Sequence, residues 1–213
     1  MTNFTIDNKH ASVSIRLKTP NEKFLKSIAK LNFIVAPSLD ASFSEIQSIG
    51  STIVTLSNWM EKKHSLSYNT VCRLIWCLYQ QQHMLTETSD FCFYNLAIED
   101  IVVIDNWHFI CCNPNLCSPL SFERKILFKK PFIKNRFSSP ELMNITCIPS
   151  STSIETFYYS LASVAFFCLF RTVFCHSDLE TSLLFDSILE TKLYWFLKRA
   201  LEIESTKRKC IFI

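Results

Sequence analysis

The chain has 213 residues, 48% of them apolar and 19% charged, and a net charge of +3, the composition of one globular domain or two small lobes with enough bulk for a core. It holds one glycine, Gly50, where an average chain of this length carries roughly fifteen. That shortage excludes the P-loop, the dinucleotide-binding G-x-G-x-x-G turn and the G-x-S-x-G nucleophile elbow, because each needs backbone at positive φ or a close approach free of a Cβ.

In chain order, the first twelve residues are polar and read as a frayed end, and Met1 to Lys9 carry no signal-peptide pattern. Val13, Ile15 and Leu17 alternate with polar neighbours, which predicts a strand. Thr19-Pro20-Asn21-Glu22 is a capping box with proline at the first helical position, and Phe24, Ile28 and Leu31 follow at helical spacing. Phe33–Val35 and Thr52–Leu56 predict strands, separated by a polar stretch around Ser38–Ser48. Ser57 is placed to cap a short helix through Lys63. Ser67 is placed to cap a longer one, along which Tyr68, Val71, Cys72, Ile75, Leu78, Tyr79 and Leu85 recur at three and four residues. Ile101–Ile104 reads as a buried strand and Phe109–Cys112 as a second, broken by Asn113-Pro114-Asn115. Thr156–Phe170 is fifteen residues without a charge. A membrane span needs about twenty, and Thr156, Ser160 and Ser163 interrupt the run, so the reading is a buried core helix. Helices over Leu183–Leu189 and Lys192–Glu202 complete the chain.

Ten cysteines without a leader sequence, most of them inside apolar runs, read as reduced buried thiols of an intracellular protein. His108, Cys111, Cys112 and Cys117 are the nearest approach to a metal cluster. They lack C-x-x-C spacing, and no metal is expected. Net charge is too mild to imply nucleic acid. Residues 123–137 nevertheless gather Arg124, Lys125, Lys129, Lys130, Lys134 and Arg136 around Phe128, Phe132 and Phe137. This is either an interaction patch for an anionic partner or a solvated loop whose aromatics pack inward.

The string Phe93-Tyr94-Asn95-Leu96-Ala97-Ile98-Glu99-Asp100-Ile101-Val102-Val103 resembles the protein-kinase catalytic loop, H-R-D-L-x-P-E-N-I-L-V. Ser139-Pro140-Glu141 falls where kinases carry A-P-E. Tyr159-Ser160-Leu161-Ala162 is similar to their W-S-x-G, and Leu201–Arg208 to their L-x-x-D-P-x-x-R. The resemblance runs in order over roughly residues 50 to 213. It implies an α+β, protein kinase-like fold of two lobes: a reduced N-terminal β lobe with one helix over residues 1–56, and a mainly helical C-terminal lobe over 57–213.

The same resemblance implies lost chemistry. Asn95 stands at the catalytic base, Ala97 at the phosphate-steadying lysine, and Asp100 at the Mg²⁺-binding asparagine, while the D-F-G aspartate falls near Cys112 or Asn113. The strand lysine falls on Arg16 or Lys18, with Glu22 nearest to its helix partner. The implied function is a catalytically inactive pseudokinase, a protein-interaction or regulatory scaffold of the cytoplasm with a protein partner, no nucleic acid and no cofactor. The alternative is a divergent active serine/threonine kinase using Mg–ATP, with Glu99, Asp100 or Asp105 in new roles and Lys18, Asp100 and Asn113 on the nucleotide. Glu141 and Arg208 are the implied structural ion pair. Lys207-Arg208-Lys209-Cys210-Ile211-Phe212-Ile213 also reads as C-a-a-X after basic residues, which would prenylate Cys210 and bring the protein to membranes. The competing reading is a final helix beginning at Ile211–Ile213.

Overall fold

A computed structural model describes residues 4–9, 12–17, 22–28, 31, 34–39, 44–48, 52–63 and 65–209. Strand β1 (Phe4–Lys9) pairs antiparallel with β2 (Ser12–Leu17), placing Ile6 opposite Ile15. The expected frayed end is therefore corrected over this span: a partner strand supplies the backbone hydrogen bonds that composition does not reveal. Helix α1 (Glu22–Ile28) follows, with Phe24, Leu25 and Ile28 buried. The proposed capping residues Thr19–Asn21 lie outside the described residues. Strands β3 (Ile34–Leu39) and β4 (Ser44–Ser48) complete a sheet of order β1-β2-β4-β3. The polar stretch expected as a connector is thus mostly strand. Pro37, which has no N–H to give a ladder, sits in edge strand β3, where a proline is tolerated.

The short strand β5 (Ile53–Thr55) leads into α2 (Leu56–Glu61), and Thr55 rather than Ser57 supplies the cap by accepting from Asn58 N at 3.2 Å. Helix α3 (Tyr68–Ser89) begins at Ser67, as its sequence predicts, with Ser67 Oγ accepting from Thr70 N. Strand β6 (Phe91–Phe93) follows, then β7 (Ile101–Ile104) and β8 (His108–Cys111). β5 pairs with β7 and β7 with β8, so residues on either side of the expected boundary at 56 share one sheet. After a 3₁₀ turn over Pro114–Leu116, β9 (Cys117–Pro119) returns to pair with β6. Strand β10 (Lys125–Phe128) pairs with β11 (Ser150–Ser153) across α4 (Pro140–Asn144), which Ser139 caps.

Helix α5 (Thr156–Phe170) is buried at twelve of its fifteen positions. A helix apolar all round belongs in a core, and α3 and α7 both pack on it. Among the described residues no helix is long and apolar enough to cross a membrane. α6 (Leu179–Asp186) starts four residues earlier than the apolar run suggested, because Asp178 accepts from Glu180 N and fixes the helix start. α7 (Lys192–Ala200) buries Leu193, Phe196, Leu197 and Ala200 and ends two residues before its expected limit. The fold is α+β.

Gly50 lies outside the described residues, so the turns that are seen run without glycine. Asp90, Asp105, Asn106, Arg124, Arg171 and Glu190 all adopt positive φ, between 50° and 65°. Asp and Asn tolerate this region through local hydrogen bonds, whereas Arg and Glu do so at a cost of about 1–2 kcal/mol each.

Candidate functional site

The loop 94–100 joins β6 to β7, and α3 holds both ends of its frame through two buried glutamines. Gln81 Nε2 donates to Cys111 O, and Gln81 Oε1 accepts from Cys111 N, both at 2.8 Å. Gln82 Oε1 accepts from Phe93 N at 2.9 Å. From this frame Tyr94 reaches across. Its hydroxyl donates to Asn115 O at 2.9 Å and accepts from Ile133 N at 3.1 Å. Burial pushes its phenol up to about 12, so it remains a donor at neutral pH.

Asn95 is fully buried. Its Nδ2 donates to Ile133 O at 3.2 Å and to Ser138 Oγ at 2.9 Å, and its Oδ1 accepts from Ser160 Oγ at 2.9 Å. Ser160, on α5, also accepts from Leu96 N. Asn135 closes the network by donating to Leu96 O and accepting from Phe137 N. Both N–H donors of the Asn95 amide, and its oxygen, are therefore engaged in structure.

Asp100 points inward. Asn113 Nδ2 donates to its Oδ2 at 2.9 Å, and its own carbonyl accepts from Cys112 N at 2.8 Å. Burial raises its pKa, opposed by the Asn113 hydrogen bond, so the ionised form is disfavoured. Glu99 is exposed and lies 3.9 Å from Arg136. Asp105 sits at the β7–β8 turn, where it accepts from Thr52 N and Thr52 Oγ1. The three carboxylates that looked clustered in the sequence thus face three different ways. Among the described residues no three His, Cys, Asp or Glu side chains converge as a metal site. The nine described cysteines are free thiols, and His108, the first of the four residues weighed as zinc ligands, approaches Arg73 Nη2 at 3.3 Å. Ala97, in the middle of the loop, offers no cation. Lys18 lies outside the described residues, as does Cys210.

Arg208 and Glu141, 67 residues apart, meet as a bidentate pair: Nη1 donates to Oε1, and Nη2 to Oε2 at 2.8 Å. Arg208 also donates to the carbonyls of Glu202 and Ile203. Burial alone would raise the Glu141 pKa, but hydrogen bonds from Arg208 and Thr156 hold the carboxyl below its usual range.

The basic residues divide. Lys134 Nζ donates to Met143 O and Ile145 O, closing the C-terminal end of α4. Arg136 stacks over Phe137 and Phe167. Lys125 pairs with Glu123. Arg124 holds the turn before β10 at positive φ. Lys129 and Lys130 are exposed at the rim of a groove lined by Tyr94, Leu127 and Phe132. Phe128 and Phe137 are buried.

Tyr94, Asn135, Ser138, Gln81 and Gln82 carry the site's geometry without having been singled out from the sequence. The glutamines did leave a signal, since they fall at three and four residues from Leu78 on the apolar face of α3. No protein-family model matches the chain, and no curated protein matches it.

Proposed function

We propose that the chain is a catalytically inactive protein kinase-like domain that acts as a protein-interaction or regulatory scaffold. The observation that carries this reading is the closed network at Asn95. A neutral amide cannot take the proton of a substrate hydroxyl, and both N–H donors and the carbonyl oxygen of this one are engaged inside the protein. Ala97 supplies no charge for a phosphate, and Asp100 is held by Asn113.

Support for the kinase-like scaffold comes from order and contacts. A small antiparallel sheet with one helix precedes a short connecting strand, a long helix and the 94–100 loop. Ser139-Pro140-Glu141 then opens α4, and the buried α5 follows. Glu141 and Arg208 make the ion pair that the resemblance implies, and Ser160 of the Tyr-Ser-Leu-Ala string bonds the 94–100 loop. A buried Arg–carboxylate pair fixes geometry more than it adds net stability, which suits a scaffold.

The test is phosphotransfer. The purified chain, incubated with Mg²⁺, radiolabelled ATP and casein as acceptor, should incorporate no label above a protein-free control. The alternative, a divergent Mg–ATP-dependent serine/threonine kinase built on the inward-facing Asp100, requires incorporation that Asp100→Ala abolishes. That result would overturn the scaffold reading.

A further inference from the structure

α6, α7 and the segments flanking them line an open cavity of about 520 Å³. Its wall is aromatic. Phe185 meets Phe174 and Tyr194 edge to face, with centroids 6.0 Å apart in each pair, and His176 closes on Phe174 at 4.8 Å. Its rim is acidic, with Asp186, Glu202 and Glu204 set against Lys198 alone. Glu204 pairs with Lys207 at 2.9 Å. The carboxylates of Asp186 and Glu202 make no salt bridge among the described residues.

The site already holds one cation at its edge. Lys198 Nζ donates to Tyr194 Oη at 3.0 Å and lies 5.3 Å from the ring centroid. Aromatic faces are electron-rich and attract a cation set over them, more strongly where water is excluded. The one buried guanidinium nearby, Arg208, is matched by Glu141 and meets Glu202 only at its backbone carbonyl. Burial lowers the His176 pKa, and Arg208 adds to this against the pull of Glu202, so the imidazole adds no opposing charge at neutral pH.

Size and donor chemistry narrow the occupant. The cavity is far larger than one ammonium head needs and lies in the range of pockets that take a side chain with its neighbours. Ile203, 58% exposed, offers apolar surface beside the acids. Carboxylates form strong charge-assisted hydrogen bonds only with a cation that has N–H groups to donate, which a fully methylated ammonium lacks. We propose that this cavity docks a basic, apolar-flanked peptide segment of a partner protein, with an arginine or lysine side chain entering the aromatic wall and meeting Asp186 and Glu202. The proposal rests on the scaffold reading and names the partner chemistry for it.

The test is fluorescence anisotropy with the full chain and a fluorescein-labelled peptide of alternating arginine and leucine, about twelve residues long, at about 150 mM salt. Its control replaces each arginine by citrulline, which keeps the shape and removes the charge. The arginine peptide should bind about tenfold or more tighter than the citrulline peptide. The pair Asp186→Asn and Glu202→Gln should remove that difference, and Tyr194→Leu should weaken binding several-fold. All three substitutions leave buried positions untouched, and an unchanged melting temperature confirms the fold. Lys129→Glu with Lys130→Glu, outside the cavity, should leave binding unchanged. Equal binding of the two peptides, or full binding by the carboxamide double variant, overturns the proposal. So does an absence of peptide binding when tetramethylammonium alone quenches the fluorescence of Trp195, which would mark a small-ammonium site instead. Each of these failures leaves the scaffold reading standing, whereas phosphotransfer would overturn that reading whatever the cavity binds.

Discussion

The amide of Asn95 donates twice and accepts once inside the core, and the NH2 group that distinguishes it from aspartate makes both donations. Asn95→Asp would restore a carboxylate at the base position, yet it would lose both donations and turn a buried charge toward the Ile133 carbonyl. It should destabilise the fold by about 2–4 kcal/mol in urea unfolding and gain no phosphotransfer. Asp100 is the converse case. Because burial raises its folded pKa, ionisation destabilises the fold fully above that pKa, and the penalty disappears below the unfolded value near 3.9. Asp100→Asn should therefore raise the melting temperature at pH 7, with the gain shrinking toward zero as pH falls to about 4. Glu190 tests the glycine shortage, since it holds φ at 65° on the surface between α6 and α7. Glu190→Gly removes the Cβ clash at the price of a looser unfolded chain, and a net gain of about 0.5–1 kcal/mol is expected. Calorimetry would read this as a rise of about 1–4 °C.

At the scale of elements, α4 is held to the end of the chain by Glu141 and Arg208 and closed at its far end by Lys134. Breaking a buried pair leaves a charge without its partner, so Glu141→Gln should cost about 2–4 kcal/mol at pH 7. The folded pKa of Glu141 lies below its unfolded value near 4.3. Its contribution is thus complete above that value and is lost as pH falls through the folded pKa. The gap between the variant and the natural protein should close below about pH 4, as read by thermal melts across that range.

The sequence revealed those elements whose signals are local. The Ser67 cap, the spacing along α3, the Ile101–Ile104 run and the charge-free α5 each lie within a few turns of chain. β6, β9, β10 and β11 have three or four residues each, too few to display a period of two, and they form because partners more than 20 residues away offer a ladder. β1 was missed for a different reason: only Phe4 and Ile6 of its six residues are apolar, so its polar composition hides the strand. In the site, Asn95 and Asp100 were singled out through the catalytic-loop resemblance and Asn113 through the D-F-G position, and Asn113 meets Asp100 in a hydrogen bond. Asn135 and Ser138 were not, because nothing in their own segment signals a contact with residues some forty positions earlier.

At the scale of the whole molecule, the buried contacts converge on α5. The 94–100 loop reaches it through Ser160, α4 through Thr156, and the chain end through the stacking of Arg208 on Tyr159. An inactive scaffold of the kind proposed above would handle no nucleotide. A thermal melt with Mg–ATP tests it most directly. A nucleotide bound with a Kd of about 50 μM would, at about 5 mM, add about 2.7 kcal/mol, a rise of about 5–10 °C for a chain of this size. The melting temperature should stay unchanged to within about 1 °C. A rise of about 5 °C or more, abolished by Asp100→Ala, would contradict the proposed loss of nucleotide binding.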